Sequence, residues 1–256
     1  MLMLTVTVYL SWGVAVTLLH PAFLYPFSPR DYLLPDYTQT SAPVPDATPV
    51  PVMLAEGNSD KPAVLFFMGN FGSIGIFAPW LEQHRAEGRT IAAMEFRGGG
   101  GNPGRPSETR LKADALAAHD WLAERSGRPV VLHGYSLGTG LALHVAARRK
   151  VAGVVLEAPY ARLCALIADA TGLPACLMPV QRWDSLADVP NISAPVLILH
   201  GLQDQVIPPS AGTELASALR ANAKQVDFVS LPEGTHENLA NLPDHARLIN
   251  AFIARN

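Results

Sequence analysis

A serine between two glycines stands near the middle of the chain, in Gly134-Tyr135-Ser136-Leu137-Gly138. The pattern G-x-S-x-G is typical of a strained turn between a strand and a helix, which exposes the serine hydroxyl. A serine hydroxyl is a weak nucleophile until a neighbouring base takes its proton. Ser136 is therefore a candidate nucleophile, and the alternative is a serine that caps a helix in a glycine-rich turn.

The base for such a serine is expected late in the chain, in a loop after the last strand. His236 fits, because it follows the apolar run 225–231 and a Pro/Gly turn, and it precedes a helical pattern. A histidine in a surface loop is the alternative for this position. His133 and His200 each end an apolar run, so we expect them to pack near strand ends.

An acid must hold the imidazole in the right tautomer and stabilise its protonated form. Asp204 stands shortly after the apolar run 195–200, at the strand end where open parallel sheets place their chemistry. Asp184 and Asp188 precede that run and would lie at the opposite end of the sheet. We therefore predict Asp204 as the acid, so that the chain order is serine, aspartate, histidine.

Acyl transfer also needs donors for the negative oxygen that develops in the transition state. One is expected to be the backbone N–H of Leu137, the residue after the nucleophile. The second is expected from the loop 69–73, which follows an apolar run. We predict the N–H of Asn70 there, with the neighbouring Phe71 as the alternative.

Short apolar runs alternate with longer helical patterns from residue 63 onward. The runs are apolar on consecutive residues, as expected for strands that are covered on both faces. The predicted strands are 63–68, 90–96, 129–133, 152–157, 195–200 and 225–231, and the predicted helices are 77–87, 107–126, 137–149, 210–220 and 244–254. This alternation predicts a mostly parallel sheet with helices on both faces.

The first residues form an apolar stretch, in which no charged side chain precedes Arg30. The stretch is long enough to cross a hydrocarbon core as one helix, so a membrane anchor is our first interpretation. A cleaved signal peptide and a helix packed on the domain remain alternatives. We therefore divide the chain into an anchor or signal segment (1–30), a proline-rich linker or edge (31–52) and a catalytic domain (53–256).

Composition limits the other classes of function. Apolar residues make up 49% of the 256-residue chain, charged residues 16%, and the net charge is −3, without a basic run that would bind nucleic acid. Cys164 and Cys176 belong to no zinc motif; we expect buried thiols, or a disulfide in an oxidising compartment. Residues 99–104 satisfy G-x-G-x-x-G, but prolines interrupt the turn, so we expect no nucleotide. We expect this loop to border the site, where its glycines indicate mobility or close approach of the substrate.

These motifs, in this order, resemble the α/β-hydrolase superfamily, and within it the membrane-anchored α/β-hydrolase-domain serine hydrolases. The matching segments are MGNFGS at 68–73, EFRG at 95–98, PSE at 106–108, GYSLG at 134–138, LEAPY at 156–160, GLQDQVIP at 201–208 and GTHEN at 234–238. The resemblance runs from about residue 63 to the C-terminus. It implies the α/β-hydrolase fold, with an N-terminal hydrophobic helix and a small cap.

The chain departs from the family pattern in three places. Met68 stands where a histidine is frequent, and Glu95 replaces an aspartate, so both can alter the pocket wall. A proline-rich stretch occupies the place of the usual first hairpin, and we expect a shortened or irregular first edge of the sheet. The connection 160–189 is expected to form the cap, or else a simple packed helix. The cap residues expected to line the pocket partly are Leu163, Leu166, Ile167, Leu173 and Leu177.

The predicted function is hydrolysis of a carboxylic ester, including a lipid acyl ester, through an acyl-enzyme on Ser136. A thioesterase or protein deacylase and a peptidase use the same residues and remain alternatives, as does a hydrolase-fold binding module without catalysis. No metal or organic cofactor is needed for this chemistry. The expected partners are a small-molecule or lipid acyl substrate and a membrane, and localisation is membrane-anchored, or secreted or periplasmic after signal cleavage.

Overall fold

The computed structural model describes residues 2–28, 34–44, 48–57, 60–222 and 225–256. Arg30, the first charge after the apolar stretch, lies outside the described residues, as do parts of the segment 31–52. The described residues form one sheet of eight strands, with helices packed against it.

The sheet has the order β1-β2-β4-β3-β5-β6-β7-β8. The strands are β1 (Thr38–Ala42), β2 (Val50–Ala55), β3 (Ala63–Phe67), β4 (Ile91–Met94), β5 (Val130–Tyr135), β6 (Gly153–Glu157), β7 (Val196–Gly201) and β8 (Val226–Leu231). Strands β3 to β8 are parallel, and every residue of β3, β5, β6 and β7 is buried. The prediction of a mostly parallel sheet covered on both faces is therefore confirmed.

The first edge of the sheet differs from the expectation. Within the segment that we took as a proline-rich linker with an irregular edge, β1 and β2 form an antiparallel pair, and β2 continues the sheet on β4. Val50, Val52 and Leu54 alternate into the core, which fixes the register. Pro51 is tolerated near the start of its strand, where its carbonyl oxygen accepts a bond from the Glu95 N–H at 2.9 Å.

The helices follow the predicted positions within a few residues. They are α1 (Leu2–Leu24), α2 (Ala78–Ala86), α3 (Glu108–Ser126), α4 (Leu137–Ala146), α5 (Leu163–Thr171), α6 (Pro209–Asn222) and α7 (His245–Ala254). Helix α3 begins where the Ser107 hydroxyl accepts a bond from the Arg110 N–H. It ends at Gly127, whose φ of 61° is the left-handed cap conformation that glycine favours.

Helix α1 is long and apolar enough over Thr5–Leu24 to cross a membrane, although a signal sequence has the same properties. Its first turns are exposed, whereas its last turns pack on the domain. The Trp12 indole N–H donates to the Thr171 carbonyl at 3.2 Å, and the Gln181 N–H donates to His20 Nε2 at 3.0 Å. One side of the helix end is therefore part of the folded unit.

The cap consists of α5 and a short 3₁₀ turn at Ala175–Leu177. Cys164 and Cys176 form a disulfide between these two elements, so of the two alternatives the structure shows the disulfide and not two free thiols. Cys164, Ala175 and Val180 form a small apolar cluster of their own around it. The cap is too small to bury a large apolar core, and the disulfide ties its two elements together.

Candidate active site

Ser136 stands in the sharp turn between β5 and α4. Its φ of 52° and ψ of −118° place a non-glycine residue in a sparsely populated region of backbone conformation. Such strain costs on the order of 1–3 kcal/mol and persists only where the surrounding structure enforces it. The buried strand before Ser136 and the buried helix after it enforce this turn, as the sequence motif predicts.

The two glycines of the motif are required because backbone passes close to them. A β-carbon on Gly134 would meet the Gly138 carbonyl oxygen at 2.6 Å, and one on Gly138 would meet the Phe67 carbonyl oxygen at 2.1 Å. Both distances are shorter than any real side chain allows. The helix therefore packs directly against the ends of β3 and β5, which brings Ser136 beside the loop after β3.

Three predicted side chains meet at the ends of the strands. Ser136 Oγ lies 3.0 Å from His236 Nε2, so the hydroxyl can donate to the ring. His236 Nδ1 lies 2.8 Å from Asp204 Oδ2, and the ring N–H donates to this carboxylate. Each of the three residues is less than 10% exposed. The arrangement can take a proton from the hydroxyl and stabilise the imidazolium that forms.

Asp204 is held by the backbone as well as by the ring. Its Oδ1 accepts bonds from the Val206 and Ile207 N–H groups at 2.9 and 2.8 Å. Burial alone would raise the pKa of Asp204, but contacts with His200 and His236 hold that pKa well below its ordinary value. The carboxylate is therefore ionised at neutral pH and fixed in orientation.

Tyr135 is a site residue that the sequence analysis missed. Its hydroxyl donates to the His236 carbonyl oxygen at 2.6 Å, and the two rings pack with centroids 5.4 Å apart. It occupies the variable position before Ser136 in the motif, so the motif pattern itself gives no signal for it. The bond ties the loop of His236 to the strand that presents Ser136.

The two backbone donors that we predicted border the same space as Ser136. Asn70 and Leu137 line one cavity together with the serine. Leu137 is the first residue of α4, where N–H groups have no partner within the helix. The pair of amides can therefore serve a negative oxygen, and their role stays a prediction.

Two cavities meet at Ser136. The smaller cavity, of about 110 Å³, is lined by Ser136, Leu24, Asn70, Leu137, Leu163, Leu166, Val206 and Ile207. The larger cavity, of about 400 Å³, is lined by Ser136, Gly69, Asn70, Phe71, Ile76, Phe77, Pro79, Trp80, Tyr135, Val206, His236, Glu237 and Asn241. Ser136, Asn70 and Val206 belong to both.

The cap contributes fewer lining residues than we expected. Leu163 and Leu166 line the smaller cavity. Ile167 instead packs on the cluster around the disulfide, Leu173 is buried against the N-terminal helix, and Leu177 is 85% exposed. One turn of α5 therefore reaches the serine, and the rest of the cap faces away from it.

The glycine-rich loop is a packed turn that lines neither of the two cavities, although we expected it to border the site. A β-carbon on Gly99 would meet the Gly72 carbonyl oxygen at 2.2 Å, and Asn102 bonds back to the Gly99 carbonyl at 2.9 Å. The loop thus supports the segment after β3 from behind. Met68 and Glu95 are both buried, and neither lines the two cavities, so their departure from the family pattern leaves the pocket wall unaffected.

A second group of histidines surrounds a carboxylate beneath the site. Glu157, at the end of β6, is fully buried and accepts bonds from His133 Nε2 at 2.6 Å and from Trp80 Nε1 at 3.0 Å. His245 Nε2 lies 2.8 Å from the same carboxylate. On the far side, His133 Nδ1 meets His84 Nε2 at 2.9 Å. His133 is therefore packed near a strand end, as its sequence position indicates.

Comparison with known proteins gives relatives and a fold. The profile of the Dienelactone hydrolase family matches residues 100–247. The chain is 32% identical over 195 residues to Uncharacterized protein Rv2307c of Mycobacterium tuberculosis, which is 75% of this chain and 68% of that protein. It is 27% identical over 233 residues to Lysophosphatidylserine lipase ABHD12 of Danio rerio, with 76% of this chain and 59% of that protein covered.

Among solved structures, the Pyrococcus furiosus esterase Pf2001 superposes with a TM-score of 0.76. The match covers 90% of this chain and 98% of that chain, at 18% sequence identity. At this identity the likeness shows the fold alone.

Proposed function

The chain belongs to the Dienelactone hydrolase family of the α/β-hydrolase superfamily, and from this premise we propose that it is a serine hydrolase that cleaves a carboxylic ester. The relatives support an ester-hydrolysing function. The observation that carries the finer proposal is the chain of hydrogen bonds from Ser136 through His236 to Asp204, at a strained turn beside two cavities.

In the first half-reaction, Ser136 Oγ attacks the ester carbonyl carbon while His236 Nε2 takes the hydroxyl proton. The carbonyl oxygen becomes negative and is met by the N–H groups of Leu137 and Asn70. When the bond to the leaving oxygen breaks, the imidazolium gives its proton to that oxygen and an alcohol departs. The acyl group stays on Ser136 as an ester, and Asp204 stabilises the charged ring meanwhile.

In the second half-reaction, a water molecule replaces the alcohol. His236 takes one proton from the water, and the hydroxide attacks the acyl carbon. The bond to Ser136 Oγ then breaks, and the serine oxygen recovers its proton from the ring. A carboxylic acid leaves, and the enzyme returns to its starting protonation. The reaction needs no co-reactant other than water.

A lipid acyl ester is the substrate that the rest of the chain favours within this class. Helix α1 would hold the domain at a membrane surface, and one of the relatives is named as a lysophosphatidylserine lipase. The disulfide between Cys164 and Cys176 supports a domain on the oxidising side of that membrane. Thioester and amide hydrolysis use the same groups and are separated from ester hydrolysis by experiment.

Labelling with a fluorophosphonate tests whether the serine is activated. We expect the purified protein to label, and Ser136→Ala to lose both labelling and ester hydrolysis, with kcat lower by about 10⁴- to 10⁶-fold, because residues of such a triad act as a unit. Heat-denatured protein is the control for non-specific labelling. Folded wild type that does not label would instead favour a binding module.

A paired assay then decides the bond that is cleaved. Acyl esters, acyl thioesters and aminoacyl amides with the same acyl group are compared by kcat/KM on one preparation. We expect the ester to be preferred over the amide. A preference for the amide would assign the chain to the peptidases of this fold.

A further inference from the structure

The last residue of the N-terminal helix reaches the space beside the nucleophile. Leu24 lines the smaller cavity together with cap residues Leu163 and Leu166, and it packs on the main core. Its neighbour Phe23, by contrast, is 75% exposed. A helix that length and composition assign to a membrane thus supplies one wall of the candidate site.

The two cavities take different parts of an ester. The proposed mechanism requires His236 to protonate the leaving oxygen, so the alcohol must lie on the His236 side of Ser136. His236 lines the larger cavity and does not line the smaller one. The acyl chain therefore enters the smaller cavity, whose side chains from the helix end and the cap are leucines.

The helix end is fixed by contacts on several sides. The Tyr25 hydroxyl donates to Gln181 Oε1 at 2.5 Å and accepts from the Trp183 indole N–H at 3.0 Å. Burial raises the pKa of Tyr25, so the hydroxyl keeps its proton. These bonds join Tyr25, the residue directly after Leu24, to the segment that follows the cap.

The residues that follow bind the loop of Asn70. The Ser28 N–H donates to the Phe71 carbonyl at 2.8 Å, and the Gly100 N–H donates to the Ser28 carbonyl at 2.9 Å. Phe27 packs so closely on Gly72 that a β-carbon on Gly72 would lie 2.4 Å from the Phe27 ring. Leu24 is therefore held in place relative to the serine and is not merely tethered near it.

The small volume of this cavity makes Leu24 important for the length of acyl chain that can enter it. At about 110 Å³ it is much smaller than the other cavity at the serine, of about 400 Å³, so it can hold only a short chain. We propose that Leu24 closes the acyl cavity and sets the length of acyl chain that the enzyme accepts. The proposal rests on the proposed ester hydrolysis and adds its acyl selectivity: among lipid acyl esters, it selects those with a short acyl chain.

The test is a chain-length series on full-length protein in detergent. The kcat/KM values for p-nitrophenyl esters with two to twelve acyl carbons are measured for wild type, Leu24→Ala, Leu24→Val and Leu24→Phe. We expect wild type to prefer short acyl chains over long ones. Leu24→Ala should move the optimum longer by about two to three carbons, with the C8/C4 ratio raised by about tenfold or more, and Leu24→Phe should lower that ratio.

Phe23→Ala is the matched control, because it removes an apolar side chain of the same helix end that faces away from the cavity. It also corrects for partitioning of long esters into detergent, since all variants share the same micelles. Fluorophosphonate labelling checks that each variant is folded, and Leu24→Val gives a milder change if Leu24→Ala does not fold.

An unchanged C8/C4 ratio in the labelled, active Leu24 variants would overturn the acyl-length proposal and leave the proposed function standing. A Phe23→Ala shift as large as that of Leu24→Ala would also overturn it, because the effect would then belong to the helix and not to the cavity. A wild type that cleaves no ester in the series would overturn both proposals together.

Discussion

Two groups of histidines and a carboxylate lie at the strand ends of this molecule, and they differ in what the histidine faces. In one, His236 lies between Asp204 and the Ser136 hydroxyl, at the wall of a cavity. In the other, His133 lies between Glu157 and another histidine, His84, with all three side chains fully buried.

Both carboxylates are kept ionised by their surroundings. Burial alone would raise the pKa of Glu157, but His245 and His133 hold that pKa well below its ordinary value, as His200 and His236 do for Asp204. A histidine that contacts a carboxylate is therefore not by itself a sign of catalysis. The partner of the second ring nitrogen distinguishes the two groups. Proton transfer is useful only where that nitrogen contacts a hydroxyl beside space for a substrate.

The largest effect that separates the two groups is expected from Asp204→Asn. This change leaves the size of the side chain unaltered but removes the charge that holds His236 in its tautomer. We expect kcat for ester hydrolysis to fall by about 10³- to 10⁴-fold in protein that is still folded, so that any loss of stability does not account for the loss of activity. A kcat within tenfold of wild type would show that Asp204 is not the acid.

The matching change in the buried group, Glu157→Gln, should act on stability instead. It leaves His245 and His133 without their anionic partner, so the free energy of unfolding should fall by about 3–5 kcal/mol. At urea concentrations below the unfolding midpoint of the variant, where it is still folded, we expect its kcat to stay within about tenfold of the wild-type value. Some loss is expected because Trp80, whose indole N–H donates to the Glu157 carboxylate, lines the larger cavity.

A loss of kcat as large as that of Asp204→Asn, with no loss of stability, would contradict this division. The two groups would then act as one catalytic unit. Circular dichroism at the assay temperature verifies that each variant is folded before the rates are compared.

The smallest effect is a pH dependence of stability from the buried group. Burial lowers the pKa of His84 well below its ordinary value of 6.5, and His133, Arg89 and His245 lower it further, against an opposing effect of Glu157. Below pH 6.5, His84 therefore binds a proton in the unfolded chain but not in the folded protein. The free energy of unfolding should fall by up to about 1.4 kcal/mol per pH unit from this residue as the pH decreases.

Urea unfolding of wild type and His84→Gln at pH 7.5 and pH 5.5 measures this contribution. The variant cannot bind the proton in either state, so its stability should fall less over the same interval. Equal losses in the two proteins would assign the pH dependence to another group.

The order of Ser136, Asp204 and His236 and the alternation of strands and helices could be predicted from the sequence, because each depends on local patterns. In a G-x-S-x-G segment after an apolar run, the close contact of Gly134 with Gly138 lies within one turn, and buried parallel strands are apolar on consecutive residues. The positions of the strands and helices could therefore be predicted to within a few residues.

The first edge of the sheet, formed by β1 and β2, could not be predicted in this way. Its prolines favour a linker locally, but Val50, Val52 and Leu54 form a strand because β4 offers them an edge to pair with and a core to enter. The pairing of Cys164 with Cys176 likewise depends on how α5 folds back on the following turn.

The sequence by itself determined which chemistry the chain can be tested for, because the reacting groups and their order are written in short motifs. Only the tertiary structure decided which residues surround them. The motifs assign no role to Tyr135 at the His236 loop, to Glu157 beneath the serine or to Leu24 at the smaller cavity, since these roles come from contacts between segments far apart in the chain. Long-range packing therefore defines the cavities beside Ser136, while local sequence patterns define the reactive groups that meet there.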